Sequence, residues 1–120
     1  MGDLSPWFDR AEFACKDNCG CDTVDSALLA ALDGVRVWFA VPVAIHSGHR
    51  CPTHNAAVGG APDSQHLRGR AADFSLSGVD PTAVADWLEA QYPDRYGIGR
   101  YATFTHLDTR SGPAVRWVGN

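Results

Sequence analysis

Apolar positions recur every three or four residues through "DTVDSALLAALDGVRVWFAV", so Leu28, Leu29, Leu32, Val35 and Phe39 share one side of a helix. Asp22 or Thr23 is placed to cap its start, and Pro42 stops it because proline has no amide hydrogen to offer the helical ladder. "PVAIHS" then reads as a short buried strand closed by Ser-Gly, and "RCPTHNAAVGGAPDS" holds too much Pro, Gly and Asn for anything but a long surface loop. "AADFSL" is a second strand. In "DPTAVADWLEAQY", Asp80 caps a second helix, Pro81 fills its first position, and Val84, Trp87 and Leu88 give it a buried side. "FTHLD" and "AVRW" alternate in character around a Ser-Gly-Pro turn, the pattern of an antiparallel hairpin. Strands that pair without crossover helices indicate an α+β fold: an antiparallel sheet with helices packed mainly on one face.

The 120 residues suffice for one core and not for two, and no repeat or low-complexity tract divides them, so residues 1–120 are expected to form a single domain. A composition 45% hydrophobic and 20% charged is that of a chain that folds. Ten basic against fourteen acidic residues leave a net charge of -4, which gives phosphate backbones no basic field to meet, so nucleic acid is not an expected partner. The opening "MGDLSPWFDRAEF" has acids and proline where a secretion signal carries basic and then apolar residues, and no later apolar run reaches membrane-spanning length. Pro6 also breaks the myristoylation pattern that Gly2 begins. The expectation is a monomer made in the cytoplasm without a signal peptide and without a membrane partner.

Four cysteines leave alternatives open. Cys15, Cys19 and Cys21 cluster while Cys51 stands apart, and no CxxC pair occurs. They can form two disulfides in an oxidising compartment, stay reduced as small apolar side chains, or hold a structural zinc, although Cys19 and Cys21 are spaced unlike the usual ligand pair.

Of the five histidines, His66 and His106 fall where a carboxylate could join them. Asp73 sits inside the apolar strand "AADFSL", where an unpaired carboxylate is costly, and His106 lies between Phe104 and Leu107 in another strand. Two histidines and an aspartate match the three-ligand set of catalytic zinc. Were residues 66–73 fully extended, the two side chains would start about 23 Å apart, too far to share an ion. The chain must bend between them, and Gly69 permits it. The competing reading pairs Asp73 with Arg68, Arg70 or Arg100 and leaves His106 on a backbone partner. Asp80, Asp86 and Asp94 belong to caps or solvated surface.

The segments "FACKDNCGCD", "SGHRCPTHNAAVGGAPDSQHLRGRAADF", "GIGRY", "FTHLDTR" and "RW" together resemble the M15 family of zinc peptidases, which includes D-alanyl-D-alanine carboxypeptidases and peptidoglycan endopeptidases, and within it the small phage-type branch. The resemblance covers most of the chain and implies the hedgehog/DD-peptidase type of α+β fold. It implies one catalytic Zn2+ held by His66, Asp73 and His106. It makes Arg50, in "SGHR", the arginine that holds a substrate carboxylate or the scissile carbonyl oxygen, with Ser64 near the substrate. Its general base is less well matched: the positions that carry a proton acceptor in relatives are Thr103 and Phe104 here. Asp108, in the HxD pattern, is nominated as catalytic base, with orientation of a ligand histidine as its other reading and His49 and Tyr101 as fallbacks. The implied activity is metal-activated water hydrolysis of peptidoglycan stem peptides or crosslinks next to D-alanine, at the bacterial cell wall. The alternative is a catalytically inactive zinc-binding phage structural or binding module.

Overall fold

The computed structural model describes residues 2–17 and 19–119. A 3-10 turn (Arg10–Phe13) leads to helix α1 (Ser26–Phe39), strand β1 (Val43–Ser47), helix α2 (Pro52–Ala57), a second 3-10 turn (Gln65–Arg68), strand β2 (Ala71–Leu76), helix α3 (Pro81–Gln91) and strands β3 (Gly97–Arg100), β4 (Thr105–Asp108) and β5 (Val115–Val118). The strands form one five-stranded sheet in the order β1-β2-β4-β3-β5.

The fold is α+β, with an amended sheet. β1, β2, β4 and β3 pair antiparallel, but β5 lies parallel to β3, so the sheet is mixed. The expected hairpin between "FTHLD" and "AVRW" does not form: the chain does reverse between them, but β3 is inserted as the partner of both. The four-residue "GIGR" has two glycines and too few side chains to announce itself as a strand.

Local chemistry explains most of the element ends. Asp25 caps α1, its side chain accepting from the Leu28 amide at 3.4 Å; Asp22 and Thr23 lie further upstream. The helix ends at Ala40 in the left-handed conformation (φ 59°), before Pro42 is reached. Asp80 and Pro81 start α3 as the sequence indicates. The segment read as a long loop contains α2, with Pro52 at its first position and the Cys51 side chain accepting from the His54 amide.

Alternation divides the sheet into two faces. Ala72, Phe74 and Leu76 of β2, Leu107 of β4 and Ile98 of β3 join Leu28, Leu32 and Val35 of α1 and Val84, Ala85 and Leu88 of α3 in one buried cluster, completed by Phe8 and Phe13. Burying side chains of this size stabilises by about 1.5–3 kcal/mol each before entropy is counted. The opposite face carries one cross-strand row, Ser47, Asp73, His106, Gly99 and Trp117, each the register partner of the next. Ser47 reaches this row through a register shift between Ile45 and Ser47, an extra residue that switches its face. No helix among the described residues is long and apolar enough to cross a membrane.

Candidate metal centre

Three elements deliver the three candidate ligands. Asp73 and His106 face each other directly across β2 and β4. His66 arrives from outside the sheet, on the second 3-10 turn, whose start is capped by Ser64 Oγ accepting from the His66 amide at 3.2 Å. The required bend is at Gly69, which takes φ 68° and ends that turn. A Cβ there would lie 2.6 Å from the Thr23 carbonyl oxygen, so both conformation and space demand glycine. His66, Asp73 and His106 thereby place one ligand atom each within 4.8 Å of one another.

Each imidazole has one nitrogen occupied from behind. His66 Nδ1 donates to the Gly48 carbonyl at 2.7 Å, which leaves Nε2 facing Asp73 Oδ1 at 3.4 Å. His106 Nε2 donates to Asp108 Oδ2 at 2.8 Å, and its Nδ1 faces Asp73 Oδ1 at 2.8 Å. Outward hydrogen bonds of this kind fix the tautomer and ring orientation of metal-binding histidines. A tetrahedron with bonds of ~2.1 Å has edges of about 3.4 Å, so the His66–Asp73 spacing already fits a zinc ion. Two imidazole nitrogens and one carboxylate oxygen are also the donor set that zinc takes in catalytic sites. The residues present fit the ion.

The electrostatics are those of a cation site. Burial raises the Asp73 carboxyl, but the hydrogen bonds of His106 and His66 outweigh it and hold it well below the usual carboxylate range. Burial lowers His106, and the carboxylates of Asp108 and Asp73 reverse this and push it up. In the metal-free protein both aspartates therefore favour the protonated form of His106 over the neutral one.

The structure places the other nominated residues plainly. Arg50 Nη2 lies 3.3 Å from Asp73 Oδ2, while its Nε donates to Ser47 Oγ and its Nη1 to Asn55 Oδ1. Three of its five N–H donors are thus held, and two remain for a ligand. Gly60 permits this packing, since a Cβ there would meet Asn55 Oδ1. Ser64 lines the site as well as capping it. Asp108 is 0% exposed, with Arg110 bonded to both its oxygens at 2.7 Å, and it does not line the cavity. Burial raises Asp108, but Arg110 and then His106 hold it well below the usual range. A carboxylate so placed orients His106; it does not meet a water in the cavity. Of the fallbacks, Tyr101 lines the cavity and His49 does not, its Nδ1 accepting from the Thr23 amide. His46 and His54 also lie outside the site.

Sequence reasoning passed over Gly97, Gly99, Arg110 and Trp117 as individual residues. A Cβ on Gly97 would sit 2.4 Å from Asp108 Oδ2, and one on Gly99 2.6 Å from the Trp117 indole. The two glycines therefore make room for what flanks His106: Trp117 packs on its ring at 4.9 Å between centroids, with Arg110 over the indole at 5.5 Å. The i, i+2 glycines in a strand were the available signal. Above the ligands opens a cavity of about 350 Å3, lined by Arg50, Ser64, Tyr101 and Trp117 among others.

Residues 6–108 match the family described as Peptidase M15, a span that takes in His66, Asp73, His106 and Asp108. The chain belongs to this family of zinc-dependent metallopeptidases. No curated protein matches the sequence significantly.

Proposed function

We propose that this M15 peptidase hydrolyses peptidoglycan stem peptides or crosslinks next to D-alanine, at the bacterial cell wall, with His66, Asp73 and His106 as its zinc ligands. The observation that carries the reading is the free side of this ligand set: it faces an open cavity in which the Arg50 guanidinium stands beside Asp73. Zinc held there supplies Lewis-acid polarisation of the scissile carbonyl.

The chain's own residues do the rest. Ser47, Asn55 and Asp73 hold Arg50, so its two spare N–H groups are a preorganised fork for a substrate carboxylate or a developing oxyanion. Asp108 fixes His106 with Nε2 protonated and Nδ1 inward, and Arg110 keeps Asp108 ionised for that task. Trp117 and Tyr101 line the same cavity, and Trp117 Nε1 donates to Tyr101 Oη at 3.0 Å, which leaves the tyrosine O–H to bond with substrate. Among the residues that line the cavity, Asp63 is the one carboxylate outside the ligand set, and it is the residue we nominate to accept a proton from water.

A digest of purified muropeptides by the zinc-loaded chain, read by mass spectrometry, tests the proposal. Release of D-alanine or cleavage of crosslinks, lost in His66→Ala, supports it. Zinc binding without turnover on any muropeptide would instead favour a catalytically silent binding module, a reading kept open by Thr103 and Phe104 and by the burial of Asp108.

A further inference from the structure

A second set of metal-ligating atoms lies outside the centre described above. Cys15 follows the first 3-10 turn, Asp17 and Cys19 lie in the loop beyond it, and Cys51 caps α2, yet their ligand atoms all come within 4.8 Å of one another. The four cysteines are free thiols. Cys15 Sγ and Cys51 Sγ are 3.8 Å apart. That is almost twice the ~2.0 Å of a disulfide, and it equals the sulfur–sulfur edge of a tetrahedron with bonds of ~2.3 Å, about 3.8 Å.

The surroundings of the sulfurs point the same way. Asp17 turns its carboxylate to thiols, with Oδ1 3.1 Å from Cys15 Sγ and Oδ2 3.0 Å from Cys51 Sγ. Backbone amides donate to the sulfurs: Cys51 N to Cys15 Sγ and His54 N to Cys51 Sγ, both at 3.4 Å. Amide donors stabilise the thiolate, the form that binds metal. The thiols of Cys15 and Cys51 thus converge on the two oxygens of one carboxylate, which gathers soft and hard donors around a single point.

We propose that Cys15, Asp17, Cys19 and Cys51 form a closed structural zinc site, three thiolate sulfurs and one carboxylate oxygen, distinct from the peptidase centre. Cys15 and Cys19 have the spacing of a usual ligand pair, and Cys21, whose spacing does not fit, contributes a backbone carbonyl to the Cys15 amide at 2.7 Å. Binding converts three thiols to thiolates and releases their protons to solvent, with no change of oxidation state. The site ties the N-terminal segment to the turn at residues 48–51. That turn carries the Gly48 carbonyl that orients His66, and Arg50, whose amide donates to the His66 carbonyl at 2.9 Å. A structural ion here stiffens the wall on which both functional groups are mounted.

The full chain, purified under reducing conditions without chelator, is expected to hold about two zinc ions, and His66→Ala about one, by elemental analysis and native mass spectrometry. Cobalt-loaded His66→Ala should show intense near-ultraviolet sulfur-to-cobalt charge transfer, which two histidines and an aspartate cannot produce. Cys19 and Asp17 are exposed, so Cys19→Ser and Asp17→Asn leave the core intact by circular dichroism. Cys19→Ser should lose the charge-transfer band, and Asp17→Asn should weaken metal retention at least tenfold. The proposal is overturned if His66→Ala shows no thiolate band, or if non-reduced chain is lighter by a pair of hydrogens and metal-free at the cysteines. It is equally overturned if Cys21→Ser rather than Asp17→Asn abolishes binding. None of these readouts depends on turnover, so they stand apart from the proposed peptidase activity.

Discussion

His106 Nε2 donates to Asp108 at 2.8 Å, and the same carboxylate is clamped by the Arg110 guanidinium through both of its oxygens. Positioning and proton transfer can be separated by Asp108→Asn, which keeps a hydrogen-bond acceptor but cannot take a proton. Zinc affinity should fall by about 10-fold, within the range seen when such supporting acceptors are changed. At saturating zinc, kcat should return to near the wild-type value. A kcat that stays low under saturating zinc would restore Asp108 as the base.

Two pH responses follow from the titrating groups. Zinc needs neutral nitrogens at His66 and His106, so protons compete with it and metal release is expected as pH falls below about 6. Metal retained at pH 4 in a chelator competition would contradict imidazole ligation. In the metal-free protein the two signs differ. His106 is raised, so its contribution to stability is present below the ordinary imidazole value of about 6.5 and is lost as pH rises through the higher folded value. Asp73 and Asp108 are lowered, so theirs is present above about 3.9 and is lost as pH falls through the folded values. Thermal melts of metal-free protein should therefore fall below pH 4, and more gently on the alkaline side of neutrality.

Gly97→Ala should destabilise by about 1–3 kcal/mol, because the new methyl meets a buried, doubly bonded carboxylate with nowhere to move. Gly99→Ala meets the Trp117 indole, which is partly exposed and can swing aside at smaller cost. Thermal unfolding of the two variants under identical zinc would rank them. Equal losses would argue against the packing described for β3.

Arg50→Lys keeps the charge but loses the fork. We expect kcat/KM to fall about 10²-fold with zinc content unchanged, the scale of losing one oriented donor at a developing oxyanion. If Arg50 holds a terminal carboxylate, the loss will be larger for a stem peptide ending in free D-alanine than for a crosslinked one. A uniform loss assigns Arg50 to the carbonyl oxygen.

Strand β2 and helix α3 were legible because their signals are local: an apolar run bounded by polar residues, and an Asp-Pro start to a helical period. The β5 pairing was not, since alternation in "AVRW" specifies a strand and is silent about which neighbour it joins. Helix α2 was hidden by its Pro and Asn content, although Pro52 at a first helical position is itself a start signal. The trio His66, Asp73 and His106 was nominated through resemblance to M15 peptidases, and the fold brings their side chains within 4.8 Å of one another; Asp108 was visible as a carboxylate without its function being fixed.

What the sequence determined by itself was parity and permission. Asp73 opposes the apolar side of its strand, His106 and Asp108 share one face two residues apart, and a glycine stands where the chain must turn. What only the tertiary structure decided was which atoms meet: the nitrogen of each imidazole that faces inward, the arginine that claims Asp108, and the cysteines that gather around Asp17. Those choices depend on register and contact between segments tens of residues apart. No local preference encodes them, because they follow from how a shared core aligns the strands that carry them.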